Sequence, residues 1–271
     1  MENTGERHIP GSEIKNEAEY YNHLMHIATY KYALQFANDK HVLDYGCGSA
    51  YGSYMLSEVS DKVTAVDISE ETILFARNNY RADNLNIKHL SELSDVQFDL
   101  ITAFQVIEHA ENAKSLILRL RSLLKPDGLL LLSTPDKKNR LFNFIQRPWN
   151  KFHHREYSGS GLKKLLQNYF ENVEILSIGS DSDLVLKEIA RTRKQRLITL
   201  PCTLSIYPDN LRVRLLGMQA HAFRMMRKIR NRNRSRKTNS DQDFNKTLSP
   251  GDIEISGRIK HSTDLFAICS V

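Results

Sequence analysis

The chain has 271 residues, 41% apolar and 26% charged, which is enough to bury a full core and excludes a polypeptide disordered throughout. Its net charge of +6 is unevenly spread: 15 of the 38 Lys and Arg but only two of the 32 Asp and Glu, Glu188 and Asp209, fall between Lys187 and Lys237, so the rest is net acidic. The opening MENTGERHIP lacks a basic stretch followed by an apolar one, and no run approaches the roughly 18 apolar residues of a membrane span, so neither export nor a transmembrane helix is expected.

Residues 17–37 place Tyr20, Leu24, Ile27, Ala28 and Leu34 at helical spacing and predict one or two helices. HVLDYGCG (41–48) is a short apolar run ending in a glycine-rich turn, and AYGSYMLSEV (50–59) reads as the helix that follows. VTAVDIS (63–69) is a second buried strand ending on an acid, with EETILFARNNYRA (70–82) as its helix. NIKHL (86–90) is a weaker strand and FDLITAF (98–104) a strong one. AKSLILRLRSLL (113–124) then puts Leu116, Leu120, Leu123 and Leu124 on one helical stripe. KPDG reads as a turn, LLLLSTP (129–135) as a strand stopped by Pro135, 159–170 as a helix, and 172–180 and 263–271 as strands. This alternation predicts an α/β fold, a seven-stranded, mostly parallel sheet covered by helices on both faces. The expected divisions are an N-terminal helical lid (1–38), a core (39–182), a basic helical insertion with a flexible linker (183–258) and a closing strand (259–271). Cys47, Cys202 and Cys269 are widely spaced without a C-x-x-C pair, so neither a zinc site nor a disulfide framework is expected, and a cytoplasmic location fits.

Ligands of open parallel sheets sit beyond the carboxyl ends of the strands. Asp44, Gly46 and Gly48 follow the first strand as D-x-G-x-G. This differs from the dinucleotide pattern, which needs a third glycine at Tyr51. A carboxylate beside glycines suits an amino-acid-bearing ligand rather than a pyrophosphate. Asp67 lies 23 positions later, at the end of the second strand, where an acid reaches a ribose diol. Glu108 and His109 follow the fourth strand, and His153 lies in KFHHREY. Imidazoles and a carboxylate there could remove a proton from an acceptor.

VLDYGCGSAYGS, VTAVDIS and the stretch from Phe98 to Asp136 resemble motifs of class I S-adenosylmethionine (SAM) dependent methyltransferases over about residues 40–180. The family's fold is Rossmann-like, and its closing antiparallel strand resembles TDLFAICS. Phe98 to Asp136 is similar to ubiquinone-pathway O-methyltransferases, whereas GERHIPG, AYGS, FHHREYS and LFAIC are more similar to methyltransferases found with bacterial surface-polysaccharide enzymes. The resemblance implies that Asp44, Gly46 and Gly48 hold the methionine portion of SAM, that Asp67 binds the ribose hydroxyls and that Ile68 packs on adenine. Ser91 and Glu92 stand where many relatives have an adenine-binding aspartate, and Ser91, Phe104 and Gln105 complete the expected cofactor set. QVIEH is similar to the E-x-x-E-H magnesium motif of small-RNA methyltransferases, but Gln105 replaces the first acid and removes an anionic ligand, so no metal is expected. The expected activity is O-methylation of a sugar hydroxyl on a nucleotide- or lipid-linked glycan, with His109, Glu108 and His153 catalytic. The alternatives are a quinone or secondary-metabolite methyltransferase, an RNA methyltransferase and a SAM-binding scaffold.

In the basic segment, Leu211, Leu215, Met218, Ala222, Met225, Met226 and Ile229 share one helical side, interleaved with Arg212, Arg224, Arg227, Lys228 and Arg230. Such a helix can pack on its own domain, lie on an anionic membrane at the inner face of the plasma membrane, or meet nucleic acid. Only Phe223 offers a base a stacking partner, so nucleic acid is the least expected. The oligomeric state is not legible.

Overall fold

A computed structural model describes residues 14, 16–139, 145–232, 248–257 and 259–271, the side chains of 139 and 227–232 excepted. The GERHIPG opening and most of the polar linker lie outside the described residues.

One helix, α1 (Glu17–Ala37), leads into β1 (His41–Tyr45), α2 (Tyr51–Ser57), β2 (Lys62–Asp67), α3 (Glu70–Asn79), β3 (Leu85–His89) and β4 (Phe98–Phe104). There follow α4 (Ala113–Ser122), β5 (Leu124–Pro135), α5 (Gly159–Leu166), β6 (Asn172–Gly179), α6 (Asp183–Thr199), α7 (Asp209–Arg232), β7 (Glu254–Ser256) and β8 (Ser262–Ser270). Side-chain caps set several starts: Asn16 accepts from the Glu19 N–H, Ser69 from Thr72, Asn112 from Ser115 and Ser158 from Gly161, each satisfying an amide that has no partner within its helix.

The strands form one sheet in the order β3-β2-β1-β4-β5-β8-β6-β7. The first five are parallel, and β8 runs antiparallel between β5 and β6. The α/β architecture is as expected, with eight strands rather than seven among the described residues. The additional β7 has three residues and pairs only with the edge of β6. KPDG is not a separate turn: β5 begins at Leu124, and a register shift between Phe98 and Leu100 absorbs the irregularity.

Alternate residues of each strand feed opposite layers, as the two-residue period of a pleated strand requires. Val42, Leu100, Leu131 and Phe266 pack with α1, α2 and α6, whereas Leu43, Ile101, Leu130, Leu132 and Ala267 pack with α4 and α5. Among the described residues no helix is long and apolar enough to cross a membrane.

Candidate active site

The loop after β1 turns on Gly46 (φ 81°) and Gly48 (φ 54°), left-handed conformations that favour glycine. The Gly46 and Cys47 amides both donate to the Val66 carbonyl at 2.8 and 2.9 Å, tying the loop to β2. A Cβ on Gly46 would lie 2.6 Å from Val106 Cγ2, whereas one on Gly48 would meet nothing within 4 Å. Gly46 therefore permits packing against the chain after β4, and Gly48 is the glycine that faces open space.

Asp44, 1% exposed, lies beneath this loop, accepting hydrogen bonds from Ser53 Oγ (2.5 Å), Thr102 Oγ1 (2.8 Å) and Tyr30 OH (3.1 Å). Burial pushes its pKa up and the three hydroxyls oppose the rise. Asp67 closes the loop from the neighbouring strand: its carboxylate accepts from Gly48 N at 3.1 Å and Ser69 N at 2.9 Å. The next side chain, Ile68, is 73% exposed. His89, opposite Asp67 at the end of β3, was not singled out from the sequence. Its Nδ1 accepts from the Ser91 amide at 3.2 Å, which leaves Nε2–H to donate to the Ile68 carbonyl at 2.8 Å. Ser91 is thus joined to Ile68 through an imidazole.

The second group of residues surrounds a cavity of about 700 Å³ bordered by Phe104, Gln105, Glu108, His109, His153 and Asp264. Asp44, Gly46, Gly48, Asp67, Ile68 and Ser91 do not line it. The two regions adjoin at the end of β4, where the Phe104 ring meets Tyr30 edge-on at 5.0 Å and Tyr30 in turn holds Asp44. Gln105 has φ 56°, a conformation that costs a non-glycine residue about 1–2 kcal/mol. It turns the side chain so that Nε2 donates to Asp264 Oδ1 at 3.0 Å. Asp264, which sequence reading passed over as part of the closing strand, is pushed up to about 6, chiefly by burial.

Glu108 and His109 follow in a short 3-10 turn, Ile107–His109. The His154 and Arg155 amides donate to the Glu108 carbonyl at 2.8 and 3.3 Å, bringing the distant FHHREY segment to this point. The His109 and His153 rings meet edge-on at 4.9 Å, and ligand-type atoms of Glu108, His109 and His153 all lie within 4.8 Å of one another. His109 Nδ1 lies 3.2 Å from the Phe152 carbonyl, which can only accept, so neutral His109 carries its proton on Nδ1 and its lone pair on Nε2. Glu108 is fully buried. Thr134 Oγ1 donates to Oε2 at 3.0 Å, and Oε1 has no hydrogen-bond partner among the described residues. Burial raises this carboxyl to about 7, with the neighbouring His153 the largest opposing influence.

Helices α6 and α7 contribute to this site directly. Arg212, one of the cations interleaved with the apolar side of α7, is fully buried. Its guanidinium donates to Asp209 Oδ1 (2.9 Å) and to the carbonyls of Pro148 (2.7 Å), Asn150 (3.0 Å) and His153 (3.0 Å). A planar fork of five donors can serve that many acceptors, which an outward-facing pattern on a helical wheel does not reveal. Arg196 is likewise buried, 3.4 Å from Glu156, whose other oxygen lies 3.5 Å from His153 Nδ1. Arg212→Met should lower stability by about 3 kcal/mol, since buried carbonyls lose charge-assisted donors. Hydrogen exchange should quicken across 148–155 while S-adenosylhomocysteine still binds; unchanged exchange there would show that other contacts hold the segment.

Comparison with known proteins places the chain in a family. A family model described as a methyltransferase domain matches residues 18–175. A Mycolicibacterium smegmatis protein named "Probable S-adenosylmethionine-dependent methyltransferase" is 33% identical over 175 residues, covering 63% of this chain and 65% of its own. A "Ubiquinone biosynthesis O-methyltransferase" of Glaesserella parasuis is 32% identical over 117 residues, covering 39% of this chain and 50% of its own. The chain thus spans between half and two thirds of the length of these curated relatives. Among solved structures, a SAM-dependent methyltransferase of Thermotoga maritima superposes with a TM-score of 0.51 at 12% identity, covering 91% of each chain. The [4+2]-cyclase SpnF gives the same TM-score and identity over 97% of this chain and 86% of its own. Both likenesses show the fold alone.

Proposed function

Since this chain belongs to the methyltransferase domain family, whose cofactor is S-adenosylmethionine, we propose that it O-methylates a sugar hydroxyl of a nucleotide- or lipid-linked glycan. The observation that carries the reading is the cluster of Glu108, His109 and His153 at the cavity, one turn beyond the strand that adjoins the glycine loop.

The residues at the ends of β1 to β3 fit the cofactor. Gly48 faces open space, the Asp67 carboxylate is held at the loop by two amides, and an isoleucine, costly to leave in water, is exposed beside it. Gly46 and Gly48 would hold the methionine portion with Asp44 beneath them, Asp67 the ribose, and Ile68 and Ser91 the adenine. SAM supplies an electrophilic methyl group on a sulfonium. The protein's part is to position the acceptor oxygen and remove its proton. His109 Nε2 takes that proton, and the Glu108 carboxylate, once ionised, stabilises the imidazolium that forms. Arg212 holds the backbone of His153, and Gln105 and Asp264 offer polar atoms on the acceptor side.

Polar side chains including Asn22, Asp136, Gln195 and Asp264, with Trp149 beside them, suit an acceptor carrying several hydroxyls better than an apolar quinol. The quinol reading keeps support from the ubiquinone-pathway relative. Isotopically labelled SAM offered with nucleotide sugars, lipid-linked glycans, quinol precursors and RNA should label the sugar acceptors. Label confined to quinols or RNA would overturn the glycan reading.

Glu108, His109 and His153 each present one atom that could ligate a cation. The acid–base reading expects chelation by EDTA to leave the transfer rate within about two-fold. Loss of activity restored by one divalent ion would reassign the three as ligands.

A further inference from the structure

We propose that the outer half of α7 docks the protein on an anionic lipid surface, placing that surface beside the cavity. The inference rests on the glycan reading only in naming a lipid-linked acceptor as the substrate so delivered.

The helix changes character along its length. Arg212 and Leu216 are buried, and Gln219 Nε2 donates to the Ile198 carbonyl at 2.8 Å, anchoring the helix to the end of α6. From Ala220 to Met226 every residue is exposed. Met218, Phe223, Met225 and Met226 are 64%, 48%, 50% and 54% exposed, a concentration of large apolar side chains that a helix facing only water does not carry. Leu211, Met218, Ala222 and Met225 recur at helical spacing, so much of this apolar surface runs along one side.

The charges around it have one sign. Arg214 and Arg224 are exposed, the sequence continues through Arg227, Lys228, Arg230 and Arg232, and no acid occurs between Asp209 and Asp241. Cations and apolar side chains on one helix match phosphates and acyl chains together, whereas nucleic acid would engage the cations and leave the methionines in water. Phe223 and Arg224 also line the cavity, as do Phe152, which is 42% exposed, and Lys151, whose Nζ lies 4.5 Å from the centre of the Phe152 ring. The docking face and the cavity therefore share a border. Two cations brought to the surface contribute enough that replacing both should weaken partitioning about 30-fold.

Flotation of the full chain with zwitterionic vesicles, with and without an anionic phospholipid, tests this at low and high salt. The expected result is salt-sensitive binding to the anionic vesicles only. Binding should fall at least about 30-fold in Arg214→Glu with Lys228→Glu, which removes two cations and adds two anions, and also weaken in Met218→Ser with Met225→Ser. Calorimetry with S-adenosylhomocysteine should give the same affinity for both variants, showing an intact cofactor site. Absence of flotation, equal binding to neutral vesicles, indifference to the charge reversals, or steeply salt-dependent binding to RNA in place of vesicles would overturn the proposal. A protein that floats as expected but labels no glycan keeps this inference and loses the glycan reading.

Discussion

Replacing His109 with alanine should lower kcat by about 10²- to 10⁴-fold while S-adenosylhomocysteine binds as before. Asp44, Gly46, Gly48, Asp67, Ile68 and Ser91 do not line the cavity that His109 borders, so the substitution removes a proton acceptor and leaves the glycine loop intact. The wild-type rate should rise with pH through about 7, the value to which burial lifts Glu108, and level off above it. Below that pH the carboxyl is protonated and gives the imidazolium no counter-charge. Glu108→Gln should lower kcat and move this limb without abolishing it, because the base His109 must itself be neutral to accept a proton. Stability carries the opposite sign: between about 4.5 and about 7 the folded state binds more protons than the unfolded, so stability declines as pH rises through that window. Thermal melts should show this decline in the wild type and a smaller one in Glu108→Gln, where Asp264, raised to about 6, still contributes below that pH. Rates within a few-fold of wild type for His109→Ala would leave positioning as the main catalytic contribution.

Asp67→Ala should weaken S-adenosylhomocysteine binding by about 10²-fold or more, since hydrogen bonds to a charged group contribute about 1.5–3 kcal/mol each and a ribose diol offers two. The loss extends to the loop, because the same carboxylate accepts from Gly48 and Ser69. Gly48→Val is the companion: its side chain enters open space beside the loop, and the left-handed backbone adds strain of about 1–2 kcal/mol. Gly46→Val is a poorer probe, since its side chain collides with Val106 and disturbs the packing after β4. Calorimetric affinities near wild type in both Asp67→Ala and Gly48→Val would remove the cofactor assignment from this loop.

The order of strands and helices through β6 was legible along the chain, because VLD, VTAV and FDLITAF are buried on both faces and read as unbroken apolar runs. The sequence by itself also determined that Asp44, Asp67, Gln105 and Glu108 lie at or just beyond strand ends, since a turn signal or an acid marks where each run stops. What lies far apart along the chain was decided only by the tertiary structure. His153 reaches His109 because two amides of its segment donate to the Glu108 carbonyl, a contact written in no local pattern. Asp264 looks like one more strand residue until β8 inserts between β5 and β6 and sets it opposite Pro135, within reach of Gln105. Arg212 shows the limit most clearly. Helical periodicity counts an arginine as a solvent-facing charge, yet the carboxylate of Asp209 one turn earlier and three backbone carbonyls from the distant 148–153 segment give this one the acceptors a buried guanidinium needs.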